Sequence, residues 1–271
     1  MVKQAIIPLA GLGTRLLPLS SVIPKELLPI NGKPNLEYIM EECIQAGIKQ
    51  FIFVVPRNRP SIKKYFFNDN FYKKIIKKKK DKRLIEEFKK IKKYQKMIKF
   101  VYQNKPKGTG DAVLKCQKYI KNKYFLMLLP DDLIIRNNCS KEMIRLHKKT
   151  NGSIIATKRV KRKTVSRWGI LSVKNKKKRY FQIKDVVEKP SIKKAPSNFA
   201  IIGRYILPKK IFGEIKKLKP GQGGEIHITD AIRSLIKKEN KFYGNIFTGK
   251  YLDCGTLSGY INSGIQISKG K

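Results

Sequence analysis

Short apolar runs alternate with stretches of helical spacing along most of the chain, the pattern of a largely parallel sheet covered by helices. Ala5-Ile6-Ile7-Pro8-Leu9 predicts a first buried strand, and residues 51–55, 125–129 and 154–157 predict three more. Leu36, Ile39, Met40, Cys43 and Ile44 share one helical face, so residues 35–46 read as a helix with Gly47 at its C-terminal cap. In the lysine-rich segment 71–99, Leu84, Phe88, Ile91 and Gln95 follow helical spacing. Such a helix either packs on its own domain with its lysines solvated or lies on a membrane surface, and the first is expected. Past residue 150 the pattern changes. Residues 169–173 and 180–183, joined by a polar turn around Asn175, predict a hairpin; residues 199–206 predict a strand, followed by a helix near 208–216. Nothing resembling a linker or repeat divides the 271 residues, so one mixed α/β domain with β-hairpin insertions is expected.

Composition changes this picture little. No apolar run approaches the roughly 18 residues of a membrane span, and the opening residues lack a cleavable apolar region. Cys43, Cys116, Cys139 and Cys254 show no paired spacing, which points to free thiols in a reducing cytoplasm and away from a disulfide framework or zinc site. The formal net charge of +43 is the outlying feature. With 62 Lys and Arg against only 12 Arg, the excess is lysine, spread through nearly the whole chain. A nucleic-acid binder concentrates Arg and aromatics on one face, so dispersed lysine reads as background, and no specific nucleic-acid or membrane partner is expected.

Candidate chemistry begins directly after the first strand. In Ala10-Gly11-Leu12-Gly13-Thr14-Arg15 the glycines let backbone N–H groups approach phosphate oxygens, and Arg15 is placed to clamp a polyphosphate. The run is not a P-loop, since no Gly-Lys-Ser/Thr closes it, nor a dinucleotide fingerprint, because Leu16 stands where a third glycine belongs. Ten residues after Arg15, Lys25 sits in Pro24-Lys25-Glu26-Leu27-Leu28-Pro29. Gly-x-Gly-Thr-Arg followed by Pro-Lys-Glu-x-x-Pro resembles the sugar-nucleotide pyrophosphorylases.

From residue 4 to about 266 the chain resembles the bacterial UTP–glucose-1-phosphate uridylyltransferase family. The resemblance implies a Rossmann-like nucleotidyltransferase fold with a mixed, mostly parallel sheet, a nucleotide-binding part over about 1–135 and a sugar-binding part over about 150–255. It implies that Ala10, Gly11, Gly13 and Thr14 hold the nucleotide, and that Arg15 and Lys25 act on the triphosphate. Residues 103–112 resemble the base-recognition loop, where Gln103 and the backbone of Gly108 read the uracil edge; a Gln amide can serve both the carbonyl and the N–H. Asp131, at the end of the third strand, and Asp253 match the family's Mg²⁺ ligands, hard oxygens of the kind that cation takes. Trp168-Gly169, Glu188-Lys189 and Asn198-Phe199-Ala200-Ile201 resemble the sugar pocket, with Gly169, Glu188 and Ile201 around the sugar and Lys189 on its phosphate. Glu225 is a further candidate for orienting the sugar, and Thr229 or Asp230 for capping a helix. One departure is Ser20-Ser21, where the family commonly has Thr-Lys.

The implied reaction joins UTP and glucose 1-phosphate into UDP-glucose and pyrophosphate, with Mg²⁺ as cofactor, in a cytoplasmic homo-oligomer. The alternatives are a relative that uses dTTP or CTP and, in a different class, a basic nucleic-acid-binding protein on the same fold. His147 and His227 are isolated and read as structural.

Overall fold

The structure, a computed structural model, describes residues 1–269; Gly270 and Lys271 lie outside the described residues. β1 (Gln4–Pro8) enters the core at once, with Ala5, Ile6 and Ile7 fully buried. The short helix α1 (Leu19–Val22) and a ribbon of β2 (Pro29–Ile30) with β3 (Lys33–Pro34) lead to α2 (Asn35–Gln45). Leu36, Ile39, Met40 and Cys43 of α2 are buried as their spacing predicts, and Gly47 follows at φ 91°. β4 (Gln50–Val55) then pairs with β1 in parallel.

The basic segment holds more than one helix. α3 (Ser61–Phe67) is followed by α4 (Asp69–Lys79) and α5 (Lys82–Gln95). The break falls at Lys80, φ 52°, because the Asp81 carboxylate accepts from the N–H groups of Arg83 (2.8 Å) and Leu84 (3.2 Å) and starts a new helix. α5 buries Ile91 and Tyr94, so it covers its own domain. β5 (Ile98–Tyr102), α6 (Gly108–Leu114), β6 (Tyr124–Leu128), β7 (Asp132–Ile135) and α7 (Cys139–Thr150) complete this half. The second half runs β8 (Ser153–Arg159), β9 (Gly169–Lys174), β10 (Tyr180–Glu188), β11 (Phe199–Pro208), α8 (Ile211–Lys217), α9 (Ile228–Lys237), β12 (Phe242–Ile246), β13 (Lys250–Asp253) and α10 (Leu257–Ser268).

One nine-stranded sheet, in the order β5-β4-β1-β6-β11-β8-β12-β10-β9, spans both halves. The fold class is the expected mixed α/β one. Its parallel pairs are β5-β4-β1-β6 and β8-β12; the remaining neighbours are antiparallel. β11 is buried along its whole length, and apart from Arg204 it carries the apolar run that usually marks a parallel strand. Side chains alternate between two cores: Ala5, Ile7, Phe51 and Phe53 face one, Ile6, Ile52 and Val54 the other. Across the sheet, the fully buried Arg204 of β11 pairs with Glu42 of α2 at 2.9 Å. Leaving either charge alone there costs about 3–5 kcal/mol, so the pair fixes α2 against β11. Among the described residues no helix is long and apolar enough to cross a membrane.

Candidate active site

The carboxyl ends of β1, β5 and β6 share one edge, where open α/β sheets bind ligands. The glycine loop follows β1. Gly13 adopts φ 68°, and a Cβ on it would lie 3.1 Å from Cβ of Ser20, so the position needs glycine on both counts. The Ser20 hydroxyl donates to Gly13 O at 2.8 Å and pins the turn. Ser20 thus has a structural role, while exposed Ser21 bonds Pro18 O and brings no charge. Ala10, Gly11, Gly13, Thr14 and Arg15 wall a cleft of about 380 Å³ with Lys25, Gln103, Gly108 and Asp131.

At one end of this cleft Gln103, nearly buried, donates through Nε2 to Asp111 (2.6 Å) and to Gly108 O (3.3 Å). Its N–H groups are therefore engaged, and its carbonyl is the group left for a ligand, a narrower role than the two-sided one the residue type allows. Gly108, at φ 91°, has no room for a side chain: a Cβ would sit 2.6 Å from Ile226 O. Ile226 N donates to Lys107 O, and Gly110 N to Ile226 O, fastening the loop to the segment before α9.

Asp131 follows β6, and the backbone around it is held on every side. Arg204 donates to Leu129 O (3.2 Å), Asn35 to Pro130 O (2.7 Å), and Cys254 N to Asp131 O (2.8 Å). Its carboxylate meets Lys25 Nζ at 2.8 Å and Arg15 Nη2 at 3.5 Å. Burial would raise the Asp131 pKa, but Lys25 and Arg15 hold it below the ordinary value. Burial likewise opposes the charge on Lys25, and Asp131 and Glu26 pull it above its usual range. Buried Glu26, in the wall of the same cleft, is pushed up to about 7 by its desolvation. Asp132 is a supporting residue: it accepts from Tyr251 Oη (2.6 Å) and Gly203 N (3.1 Å), and burial and the neighbouring Asp131 raise it to about 6.

Asp253 arrives from 120 residues away because β13 pairs with β7 and sets Asp253 opposite Asp132. A Cβ on Gly255 would lie 2.7 Å from Arg15 Nη2, 2.9 Å from Asp131 Oδ2 and 3.2 Å from Asp253 Oδ1, so the absent side chain lets the guanidinium and the two carboxylates converge. No group of three or more His, Cys, Asp or Glu converges on a metal position among the described residues. Two hard-oxygen ligands suit a divalent cation that completes its shell with phosphates and water.

On the other side of Asp131 lies a second cleft of about 200 Å³, where Gly169, Glu188 and Ile201 come together with Arg167, Tyr205, Thr229, Tyr251 and Asp253. A Cβ on Gly169 would come within 3.0 Å of Ile201 Cδ1 and 3.1 Å of Glu188 Oε2, so glycine keeps this cleft open. Arg15, Leu129 and Asp131 line both clefts. Lys189 is exposed at φ 42°, its N–H donating to Trp168 O, and it lines neither cleft. Glu225 lines the cleft of the glycine loop, not the one that holds Gly169 and Glu188. Neither Thr229 nor Asp230 caps α9, whose N-cap is His227. His147 bonds Gly152 O and packs on Tyr124, a structural role as expected.

Two clefts joined at one carboxylate, behind a glycine loop that follows the first strand, define a nucleotidyltransferase. The nucleotidyl transferase family model matches residues 4–269. The chain is 36% identical to the UTP–glucose-1-phosphate uridylyltransferase of Bacillus subtilis (98% of this chain, 91% of that one). It is 37% identical to a putative enzyme of the same name from Methanocaldococcus jannaschii (98% and 93%). Among solved structures it resembles a UDP-glucose pyrophosphorylase complexed with UDP-glucose (TM-score 0.88, 36% identity, all of both chains). It also resembles the UTP-bound enzyme of Acinetobacter baumannii (TM-score 0.88, 31% identity, 98% and 93%). The chain belongs to the UTP–glucose-1-phosphate uridylyltransferase family.

Proposed function

We propose that the protein transfers the uridylyl group of UTP to glucose 1-phosphate, releasing pyrophosphate, with UTP in the cleft of the glycine loop and the sugar phosphate in the smaller one. The observation that carries this reading is that Asp131 lines both clefts, so two phosphorylated ligands meet beside one carboxylate. The two parts correspond to about 1–135 and 150–255. The Gln103 carbonyl, its amide already engaged, accepts from a base bearing N3–H, which favours uracil or thymine over cytosine. The relatives named above favour uracil.

A phosphate oxygen of glucose 1-phosphate attacks the α-phosphorus of UTP in line, and pyrophosphate leaves on the opposite side. The nucleophile is already ionised near neutral pH, so no general base is needed and catalysis is positioning plus electrostatics. The backbone of residues 10–14 cradles the phosphates, and Arg15 and Lys25 balance charge on the departing pyrophosphate. Glu188 accepts from sugar hydroxyls across Gly169, and Lys189 reaches the sugar phosphate with its long arm. Asp131 and Asp253 would hold Mg²⁺, which supplies charge neutralisation on the phosphates. Four buried free thiols support a cytoplasmic protein, and the exposed, uncharged Leu257, Ile261 and Ile265 on α10 support a homo-oligomer.

Pyrophosphate release with Mg²⁺, glucose 1-phosphate and each of UTP, dTTP and CTP tests this. UTP should be turned over fastest and CTP at least about tenfold more slowly. Absence of release with UTP overturns the reading.

A further inference from the structure

The two carboxylates beside Gly255 are neutralised by different cations. Asp131 is paired with Lys25 of the glycine-loop cleft and with Arg15, which lines both clefts, whereas Asp253 is paired with Arg167 of the smaller cleft, Nη2 to Oδ2 at 3.7 Å. Among the residues lining the sugar cleft, Arg15 and Arg167 are the cationic ones, and Arg15 is turned to Asp131. Lys189 lies outside that lining. The phosphate of the incoming sugar must enter between these groups.

The setting of Arg167 suits an arm that moves from a fixed base. It ends a 3₁₀ turn (Arg162–Arg167) anchored by fully buried Val165, to whose carbonyl Trp168 N donates at 3.1 Å. The Trp168 ring packs edge-on against Tyr251 at 5.8 Å, and Tyr251 in turn bonds Asp132. The backbone of Arg167 is thereby registered against the carboxylates. Its side chain is 57% exposed and held by one long contact, and ion pairs of that kind are worth little, so release is easy.

We propose that Arg167 exchanges between Asp253 and the phosphate of the sugar substrate. Before the sugar phosphate arrives Arg167 neutralises Asp253; when it arrives the guanidinium turns to the phosphate and leaves Asp253 free for the divalent cation. Binding of the two is then mutually strengthening, because each favours the arrangement the other needs. Arg167 both binds the attacking phosphate and delays cation binding until that phosphate is present. This rests on the functional reading above.

Arg167→Ala tests the exchange by calorimetry with Mn²⁺ as the probe and no nucleotide present, so that no turnover occurs. Without sugar phosphate the variant should bind Mn²⁺ up to about fivefold more tightly than the parent, the competing cation being gone. Adding glucose 1-phosphate should tighten Mn²⁺ binding to the parent and leave the variant's affinity unchanged. In steady-state assays the KM for glucose 1-phosphate should rise roughly ten- to a hundredfold, with the KM for UTP within about twofold. An unaltered thermal melt shows that the exposed side chain was removed without harm to the fold. A variant with unchanged KM for glucose 1-phosphate overturns the proposal, as does one that loses sugar-phosphate affinity while its Mn²⁺ binding stays that of the parent. If the parent does not release pyrophosphate from UTP, the functional reading fails, and the two binding titrations still decide the exchange.

Discussion

The cleft proposed for the nucleotide has one wall of small residues and backbone, from Ala10, Gly11, Gly13 and Thr14 to Gly108, faced by Arg15, Lys25 and Gln103, whereas the cleft proposed for the sugar is walled mainly by large side chains, Trp168, Glu188, Tyr205 and Tyr251. The contrast follows from the ligands each suits. A triphosphate is held by N–H groups that must come close, so glycines in contiguous loops do the work. A sugar is held by side-chain acceptors and donors projected from several strands. Both clefts share Arg15, Leu129 and Asp131, and the rest of their walls differ.

The shared wall should give the largest effects when broken. Asp131→Asn removes a group both clefts use, and pyrophosphate release should fall by roughly 10²–10³ with little change in thermal stability; a near-normal rate would show that the carboxylate is no ligand. Arg204→Met strands Glu42 and unties Leu129 O, and chemical denaturation should show a loss of about 3–5 kcal/mol.

The next substitutions separate the clefts. A methyl group on Gly108 must displace Ile226 O, so Gly108→Ala should raise the KM for UTP about tenfold or more and spare that for glucose 1-phosphate. Gly169→Ala should do the reverse, since its methyl meets Ile201 and Glu188. Equal effects on both constants in either variant would dissolve the distinction.

The smallest effect belongs far from both. Glu214 of α8 ties α9 through Ser234 and Lys238, and those bonds hold its carboxyl down to about 2. Because the folded value lies below the unfolded one, its stabilisation is present above about pH 4.5 and lost as pH falls toward 2. Glu214→Gln should lower Tm by a few degrees at pH 7, by progressively less below pH 4.5, and change neither KM.

The same contrast decided what the sequence made legible. The glycine loop, Lys25, Gln103 and Asp131 were readable because backbone recognition leaves short runs of Gly, Pro and charge. Arg167 and Tyr251 were not, because nothing local marks a side chain whose partner, Asp253 or Asp132, lies far along the chain. Glu188 is legible only through its neighbours. In the fold, β5 was hidden in a lysine-rich segment, and β12 by Gly244, where a Cβ would strike the Phe181 ring at 2.5 Å. α10 carries Gly259 and Gly264 and no charge, so propensity gave no sign of it.

The central claim is that two substrates, seated in different clefts, react directly across Asp131 with no enzyme-bound nucleotide between. The stereochemical course with UTP chirally thio-substituted at the α-phosphorus tests it most directly. A single in-line displacement predicts UDP-glucose with inverted configuration at that phosphorus; retention would mean two displacements and a covalent intermediate, and would contradict the account.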